Sequence, residues 1–249
     1  MSNCRFYNAA NLVIGVTIKL SDNAAAHATR VLRLEISDEL VLFNGDGHDY
    51  TCAIASIKKS EVLAIVKNCV KITNESPLNI ALLQGISSGD RMDYTIQKAV
   101  ELGVTQIVPI TTTRSVVKLS PERAQKRLEH WQSIVYAACE QSGRALVPQV
   151  AAPIGLSAWL ANRPQNNATR ILLNPIGALR LAELPKPADY IERYAIELLV
   201  GAEGGLSQAE IDAALSQGFK SIVLGTRILR TETAALTAIA AMQTLWGDF

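Results

Sequence analysis

The residues best suited to chemistry lie in three loops, each expected to follow a strand. Gly201-Ala202-Glu203-Gly204-Gly205 comes directly after the strand expected over 196–200. Three glycines in five residues let backbone approach a ligand and permit positive φ. Ser207 then caps a helix with Glu210 three residues on, a capping-box spacing. Tight strand-to-helix turns of this kind are often merely structural, so this loop alone decides nothing. The second loop is Leu224-Gly225-Thr226-Arg227-Ile228-Leu229-Arg230-Thr231-Glu232-Thr233. Its apolar pair Ile228-Leu229 is unfavourable inside a loop unless it packs on something, either a ligand ring or the core. The third, Leu173-Asn174-Pro175-Ile176-Gly177, reads as a simple turn. In open α/β sheets ligands bind outside the carboxyl ends of strands, where all three loops would stand. The dinucleotide glycine fingerprint, the phosphate-loop lysine motif and the hydrolase nucleophile elbow are all missing. Gly85-Ile86-Ser87-Ser88-Gly89 also follows a strand, but its spacing fits none of them.

The elements that must hold these loops fall into two styles. Up to about residue 72 the chain is rich in β-branched residues and turns. Leu40-Val41-Leu42-Phe43 runs into Asn44-Gly45-Asp46-Gly47, a hairpin signal, with strands expected over 50–57 and 62–66. One short helix is expected over 24–32, and the whole suggests a small β-barrel. Thr73-Asn74-Glu75-Ser76-Pro77 reads as a linker. Beyond it strands and helices alternate. Strands are expected over 78–84, 106–110, 170–173, 196–200 and 221–224, and helices over 90–102, 120–142 and 231–245. Gly103 stops the first helix, and Ser120-Pro121 starts the second as N-cap and N1. This grammar predicts a parallel α/β sheet with both faces covered. The expected domains are 1–73 and 77–249.

Bulk composition excludes several classes. The net charge of +1 rules out a basic nucleic-acid tail, so any RNA contact must use local clusters. Cys4, Cys52, Cys69 and Cys139 are scattered and read as reduced thiols, and with three isolated histidines no metal site is expected. The N-terminus has no signal-peptide pattern and no apolar stretch could span a bilayer, so a cytoplasmic protein without membrane contact is expected. Basic residues concentrate between Arg114 and Arg144. Arg123, Lys126 and Arg127 read as a solvated helix face. Arg114 and Lys118, in a loop after a strand, are better placed for phosphate contact, and Arg5, Arg30 and Arg33 are candidates in the N-terminal part.

The two glycine- and arginine-bearing loops together resemble those of the 16S ribosomal RNA uridine N3-methyltransferases of the RsmE type, in the SPOUT superfamily. The likeness extends to 91–104, to Arg114-Ser115-Val116-Val117-Lys118, to Ala138-Cys139-Glu140-Gln141-Ser142-Gly143-Arg144, and to His27 with Arg30-Val31-Leu32-Arg33. Ala202, Leu206 and Ser37 stand where the family usually has Pro, Phe and Gly. The resemblance implies a PUA-like N-terminal β-barrel that helps hold RNA. It also implies a C-terminal SPOUT α/β domain with a deep trefoil knot, an exception to unknotted topology, and a homodimer. The implied cofactor is S-adenosylmethionine, held by Leu173, Asn174, Gly201, Ala202, Glu203, Gly204, Leu224, Ile228 and Leu229. Arg230, placed directly after the apolar pair at a helix start, is the catalytic candidate; Glu232 is the candidate base, with service to the helix dipole alone as its alternative. Arg5, Arg30, Arg33, Arg114, Lys118 and Arg144 are the implied contacts to 16S rRNA or the small ribosomal subunit. The competing expectation is a non-catalytic RNA-binding protein with a vestigial methyltransferase domain.

Overall fold

The computed structural model describes residues 4–59, 61–115, 117, 119–163, 166–177, 179–187 and 194–249. Two compact units emerge: 1–75 with 136–147, and 76–135 with 148–249. The split expected near 73–77 therefore needs one correction, because Tyr136–Val147 belongs with the first unit. Tyr136 stacks on Tyr7 at 3.8 Å between ring centroids, and Asn74 donates to the Gly143 carbonyl at 3.0 Å.

In the first unit β1 (Arg5–Tyr7) and β2 (Thr17–Lys19) are three-residue strands. A short helix α1 (Asp22–Ala26), capped by Ser21, widens into a π-turn at His27–Val31. Then come β3 (Glu39–Phe43), β4 (His48–Lys58) and β5 (Glu61–Lys71). The sheet order is β1-β3-β4-β5-β2, antiparallel except for β1 beside β3. Along β5, Val62, Ala64 and Val66 are buried at every second position, the period that turns one face to a core. Two register shifts in the β4–β5 ladder bend it and increase its twist. Asn8, just after β1, donates from its side chain to the Lys19 carbonyl of β2, so the two end strands of the order approach each other.

Ser37 lies at φ 80°, a left-handed conformation that favours glycine. Ser37→Gly is expected to stabilise the first unit by about 0.5 kcal/mol, the relief of strain exceeding the entropy glycine loses on folding. An unchanged or lower denaturant midpoint would show that the backbone there is unstrained.

The second unit holds an all-parallel sheet. Its elements are β6 (Leu78–Gly85), α2 (Asp90–Glu101), β7 (Gln106–Thr111), α3 (Pro121–Ser142, whose end falls in the first unit), β8 (Gln149–Val150), β9 (Ile154–Gly155), α4 (Leu156–Asn162), β10 (Thr169–Leu173), β11 (Leu179–Arg180), β12 (Tyr194–Val200), α5 (Gln208–Ser216), β13 (Lys220–Val223) and α6 (Thr231–Trp246). The strand order is β11-β13-β10-β12-β6-β7-β8, with β9 also pairing β7. Leu83, Leu172 and Leu199 face α4 and α5 in one apolar cluster. Their neighbours Leu82 and Leu198 point the other way and are equally buried, so both faces are covered. The mixed α/β class expected from the alternation is what the chain adopts.

Candidate functional site

Three parallel strands, β10, β12 and β13, end on one cavity of about 780 Å3. Its wall takes Leu173 and Asn174 from the first, 201–206 from the second and 224–225 with 227–232 from the third. All nine expected cofactor-binding residues, both expected catalytic residues and Arg114 line this one space.

The glycines line the cavity, and close packing also limits what could stand in their places. Of the three, only Gly205 has positive φ, at 66°. A Cβ on Gly201 would lie 3.0 Å from the Gly205 carbonyl carbon, and one on Gly204 would lie 2.9 Å from Cβ and O of Arg114. Gly201 is held to glycine by the backbone of 205–206, and Gly204 by the Cβ and carbonyl of Arg114. Gly85, at the end of β6, is tighter still. Its Cβ would lie 2.6 Å from the Gly201 carbonyl carbon and closer yet to the Ala202 nitrogen.

Hydrogen bonds lock the loops together. The Ser207–Glu210 capping box forms as expected. The Glu210 carboxylate also accepts from the Thr113 N–H at 2.8 Å, fastening the loop that carries Arg114. Burial alone would raise the pKa of Glu210, but bonds from Ser207 and Thr113 outweigh it and hold the carboxylate below its ordinary value. Glu203 accepts from the Ser88 N–H at 2.8 Å, the Ser88 hydroxyl at 2.9 Å and Arg91 at 2.9 Å. Burial again pushes its pKa up, and these bonds win and lower it. The segment 85–89, set aside on spacing, thus forms part of the site's frame.

Sequence reasoning missed the line that ties three elements at the cavity floor. Gln84 is fully buried and donates from Nε2 to the Thr231 hydroxyl oxygen at 2.9 Å and to the Gly85 carbonyl at 3.0 Å. Thr231 in turn donates to the Gly201 carbonyl at 2.5 Å. A glutamine directly after the apolar run Ile80-Ala81-Leu82-Leu83 was the available signal, since a buried amide must find partners. Thr231→Val keeps the shape but strips the Gln84 amide and Gly201 carbonyl of their shared partner. We expect a loss of about 1–3 kcal/mol in stability and weaker ligand binding in the cavity; a melting temperature equal to wild type would refute the role.

Around the mouth, Arg227 and Arg230 are exposed with no ion pair among the described residues, whereas Arg91 is paired with Glu203. Ile228 is 86 % exposed, an apolar side chain in a cavity wall without cover from its own chain. One carboxylate oxygen of Glu232 is buried and has no hydrogen-bond partner. Asn174 forms the expected turn, its side chain accepting from the Ile176 N–H.

The other expected RNA contacts divide. Arg30 and Arg33 are exposed on the first unit. Arg5 and Arg144 are not available, which corrects the expectation for both. Arg5 is 3 % exposed, paired with Asp49 at 2.7 Å and donating to the carbonyls of Cys139 and Arg144. Arg144 is 5 % exposed and bonded to Glu75 at 2.7 Å. Both guanidinium groups are thus buried and engaged within the first unit. Lys118 lies outside the described residues.

Residues 74–243 match the RNA methyltransferase domain family, and residues 20–67 match the RNA methyltransferase PUA domain family. The chain belongs to the RNA methyltransferase family. Among its relatives is ribosomal RNA small subunit methyltransferase E of Buchnera aphidicola, 34% identical over 98% of this chain and 94% of the relative. The protein of that name from Bacillus subtilis is 30% identical over 91% of this chain and 89% of its own. The crystal structure of ribosomal RNA small subunit methyltransferase E from Neisseria gonorrhoeae, bound to S-adenosyl methionine, has a TM-score of 0.89 at 46% identity, covering 98% of each chain. A putative methyltransferase from Legionella pneumophila, in complex with the same cofactor, has a TM-score of 0.92 at 36% identity over the full length of both. Family membership accounts for the conjunction of loops in the second unit.

Proposed function

We propose that this protein transfers a methyl group from S-adenosylmethionine to N3 of a uridine in 16S ribosomal RNA of the small subunit. The observation that supports it most is the single cavity, built by all three strand-end loops, with unpaired arginines at its mouth. Its volume of about 780 Å3 suits a cofactor of this size, and its wall combines backbone groups with apolar side chains. Leu173, Asn174, Gly201, Ala202, Gly204, Leu224, Ile228 and Leu229 would hold the cofactor, and Glu203 through its backbone, since its carboxylate is engaged elsewhere. When bound, the cofactor supplies an electrophilic methyl group.

The rest of the chemistry falls to the protein. N3 carries a proton that must leave, and in a duplex it faces inward, so the target uridine is unpaired or flipped out. Glu232, with its unpartnered buried oxygen, receives that proton. Arg230, at the start of α6, stabilises the uridine anion. Arg30, Arg33 and Arg114 contact RNA phosphates. In this reading the first unit is a PUA-like barrel, supported by the Asn8–Lys19 link between its end strands. The second is a SPOUT domain with a deep trefoil knot. That is supported by the chain crossing from β12 past β10 to β13 and returning to pack α6 on β6 and β12. The working form is a cytoplasmic homodimer.

The test is a deletion strain. Its 16S rRNA should lack N3-methyluridine at one position, the wild-type gene should restore it, and an Arg230→Ala gene should not. In vitro the same variant should lose about tenfold or more in turnover with S-adenosylmethionine affinity unchanged. Retained methyluridine in the deletion strain would sink the substrate assignment, and equal turnover would sink the role of Arg230. A folded protein that binds no S-adenosylmethionine in calorimetry would favour the vestigial, non-catalytic reading.

A further inference from the structure

Three cations cluster outside the cavity near the start of α3. Arg123, Lys126 and Arg127 stand exposed on the first two turns of α3, and none has an ion pair among the described residues. Their spacing is unfavourable for the helix. Arg123 with Arg127, and Arg123 with Lys126, are like-charged neighbours at i,i+4 and i,i+3. Arg123 also sits in the first turn, against the macrodipole. The nearby acids Glu122 and Glu129, at i,i+4 and i,i+3 to Lys126, accept from Ser120 and Gln125 and form no ion pair with the cations.

Topology tells which way this face points. β6, β7 and β8 are parallel neighbours in that order. The helices that connect them, α2 and α3, therefore both run back against the strand direction and are parallel to each other. His130 contacts Asp93 at 2.7 Å, which sets their register. One turn earlier on α3, Arg127 comes level with the start of α2, where Arg91 lines the cavity. Arg123 lies roughly 10 Å beyond the level of Asp93, at 1.5 Å rise per residue. The three cations thus project from the same edge of the sheet as Arg114, Arg227 and Arg230 at the cavity mouth.

We propose that Arg123, Lys126 and Arg127 form a docking surface for the phosphate backbone of the RNA strand flanking the target nucleotide. This rests on the methyltransferase reading of the cavity and extends it from the reacting base to its neighbours. RNA is the partner favoured because the cations form no ion pair among the described residues and stand at the edge where that base would enter. Contacts of this sort position a substrate without reading its sequence.

The test uses the full-length protein with Arg123, Lys126 and Arg127 all changed to Gln. Substrates are small ribosomal subunits from the deletion strain, and a single-stranded oligouridylate serves as binding probe. S-adenosylmethionine affinity and melting temperature should match wild type. KM for the subunits should rise at least tenfold with kcat retained. The slope of log Kd against log salt for the oligouridylate should flatten by about 2, at roughly 0.7 per phosphate contact on a single strand. An unchanged KM and an unchanged slope, in a variant that melts as wild type, overturn the proposal. Should the variant melt early, Lys126→Gln alone is measured, with a slope change of about 0.7 expected and no change overturning it. Wild type that binds oligouridylate through this face but methylates no subunit defeats the methyltransferase reading and leaves the surface standing.

Discussion

Gly85→Ala should weaken S-adenosylmethionine binding about a hundredfold or more through a single added methyl group at the end of β6. The end of β6 runs against the glycine loop so closely that an added Cβ falls within 2.6 Å of the Gly201 carbonyl carbon. The obstructing atoms are backbone, so no side chain can swing aside. The nearest relief is to move 201–202 outward, and that loop is fastened by the Thr231 hydroxyl on the Gly201 carbonyl and by Ser88 and Arg91 on Glu203. Overpacking of this kind costs about 3 kcal/mol, at the upper end of the usual range. If the protein pays it by shifting the loop, the cavity loses its floor and affinity falls about a hundredfold or more, since each 1.4 kcal/mol is tenfold. Gly205→Ala is the control. Its Cβ would meet nothing within 4 Å, and only its φ of 66° is strained. That should lower stability by about 1 kcal/mol with a far smaller effect on the cofactor. Titration calorimetry and thermal melts on both variants decide the matter. Wild-type affinity in Gly85→Ala would mean that the loop is free to move and that the packing of β6 does not position the site.

This dependence of the site on β6 marks where the sequence stops being legible. Strong periodic elements with end signals could be read directly: α2 ending at Gly103, α3 opening at Ser120-Pro121, the hairpin turn at 44–47. The three cavity loops could be read as well, because strand, turn and capping box are local patterns. What could not be read depends on partners distant in sequence. Gly85 looks like an ordinary strand-end glycine until 201–202 is placed against it. Gln84 looks like a polar interruption until Thr231 reaches it. The strands β1 and β2, three residues each, have no periodicity to detect and exist through pairing with β3 and β5. The last turns of α3 continue its helical pattern without a break, so nothing local shows that they belong with the first unit, where Tyr136 meets Tyr7. The arginines illustrate the same limit. Residue type and local charge cannot distinguish a buried guanidinium from an exposed one. Arg5 and Arg144, candidate phosphate contacts by residue type, are internal, while Arg123, Lys126 and Arg127 stand exposed with no ion pair among the described residues.

Arg5→Ala gives that correction its decisive measurement. An RNA contact and a buried structural arginine fail in opposite ways. Removing an exposed phosphate contact weakens RNA binding and flattens its salt dependence while leaving the melt unchanged. Arg5 instead stands over the Phe43 ring at 3.8 Å, pairs with Asp49 and satisfies two backbone carbonyls, those of Cys139 and Arg144. Its removal leaves Asp49, whose side chain is 23% exposed, without its cation, and leaves two carbonyls without these donors. Breaking a buried pair from one side typically costs about 3–5 kcal/mol, and the partial exposure of Asp49 places this case near 3. The first unit should therefore melt well below wild type. Part of the loss should return in Arg5→Met with Asp49→Ala, where the charge is gone and the packing on Phe43 is retained. At temperatures where the single variant is still folded, oligouridylate affinity and salt slope should equal wild type. A variant that melts normally yet loses RNA affinity would reinstate Arg5 as a phosphate contact. The predicted pattern, lost stability with unchanged salt slope, assigns the charge of Arg5 to holding Tyr136–Val147 within the first unit.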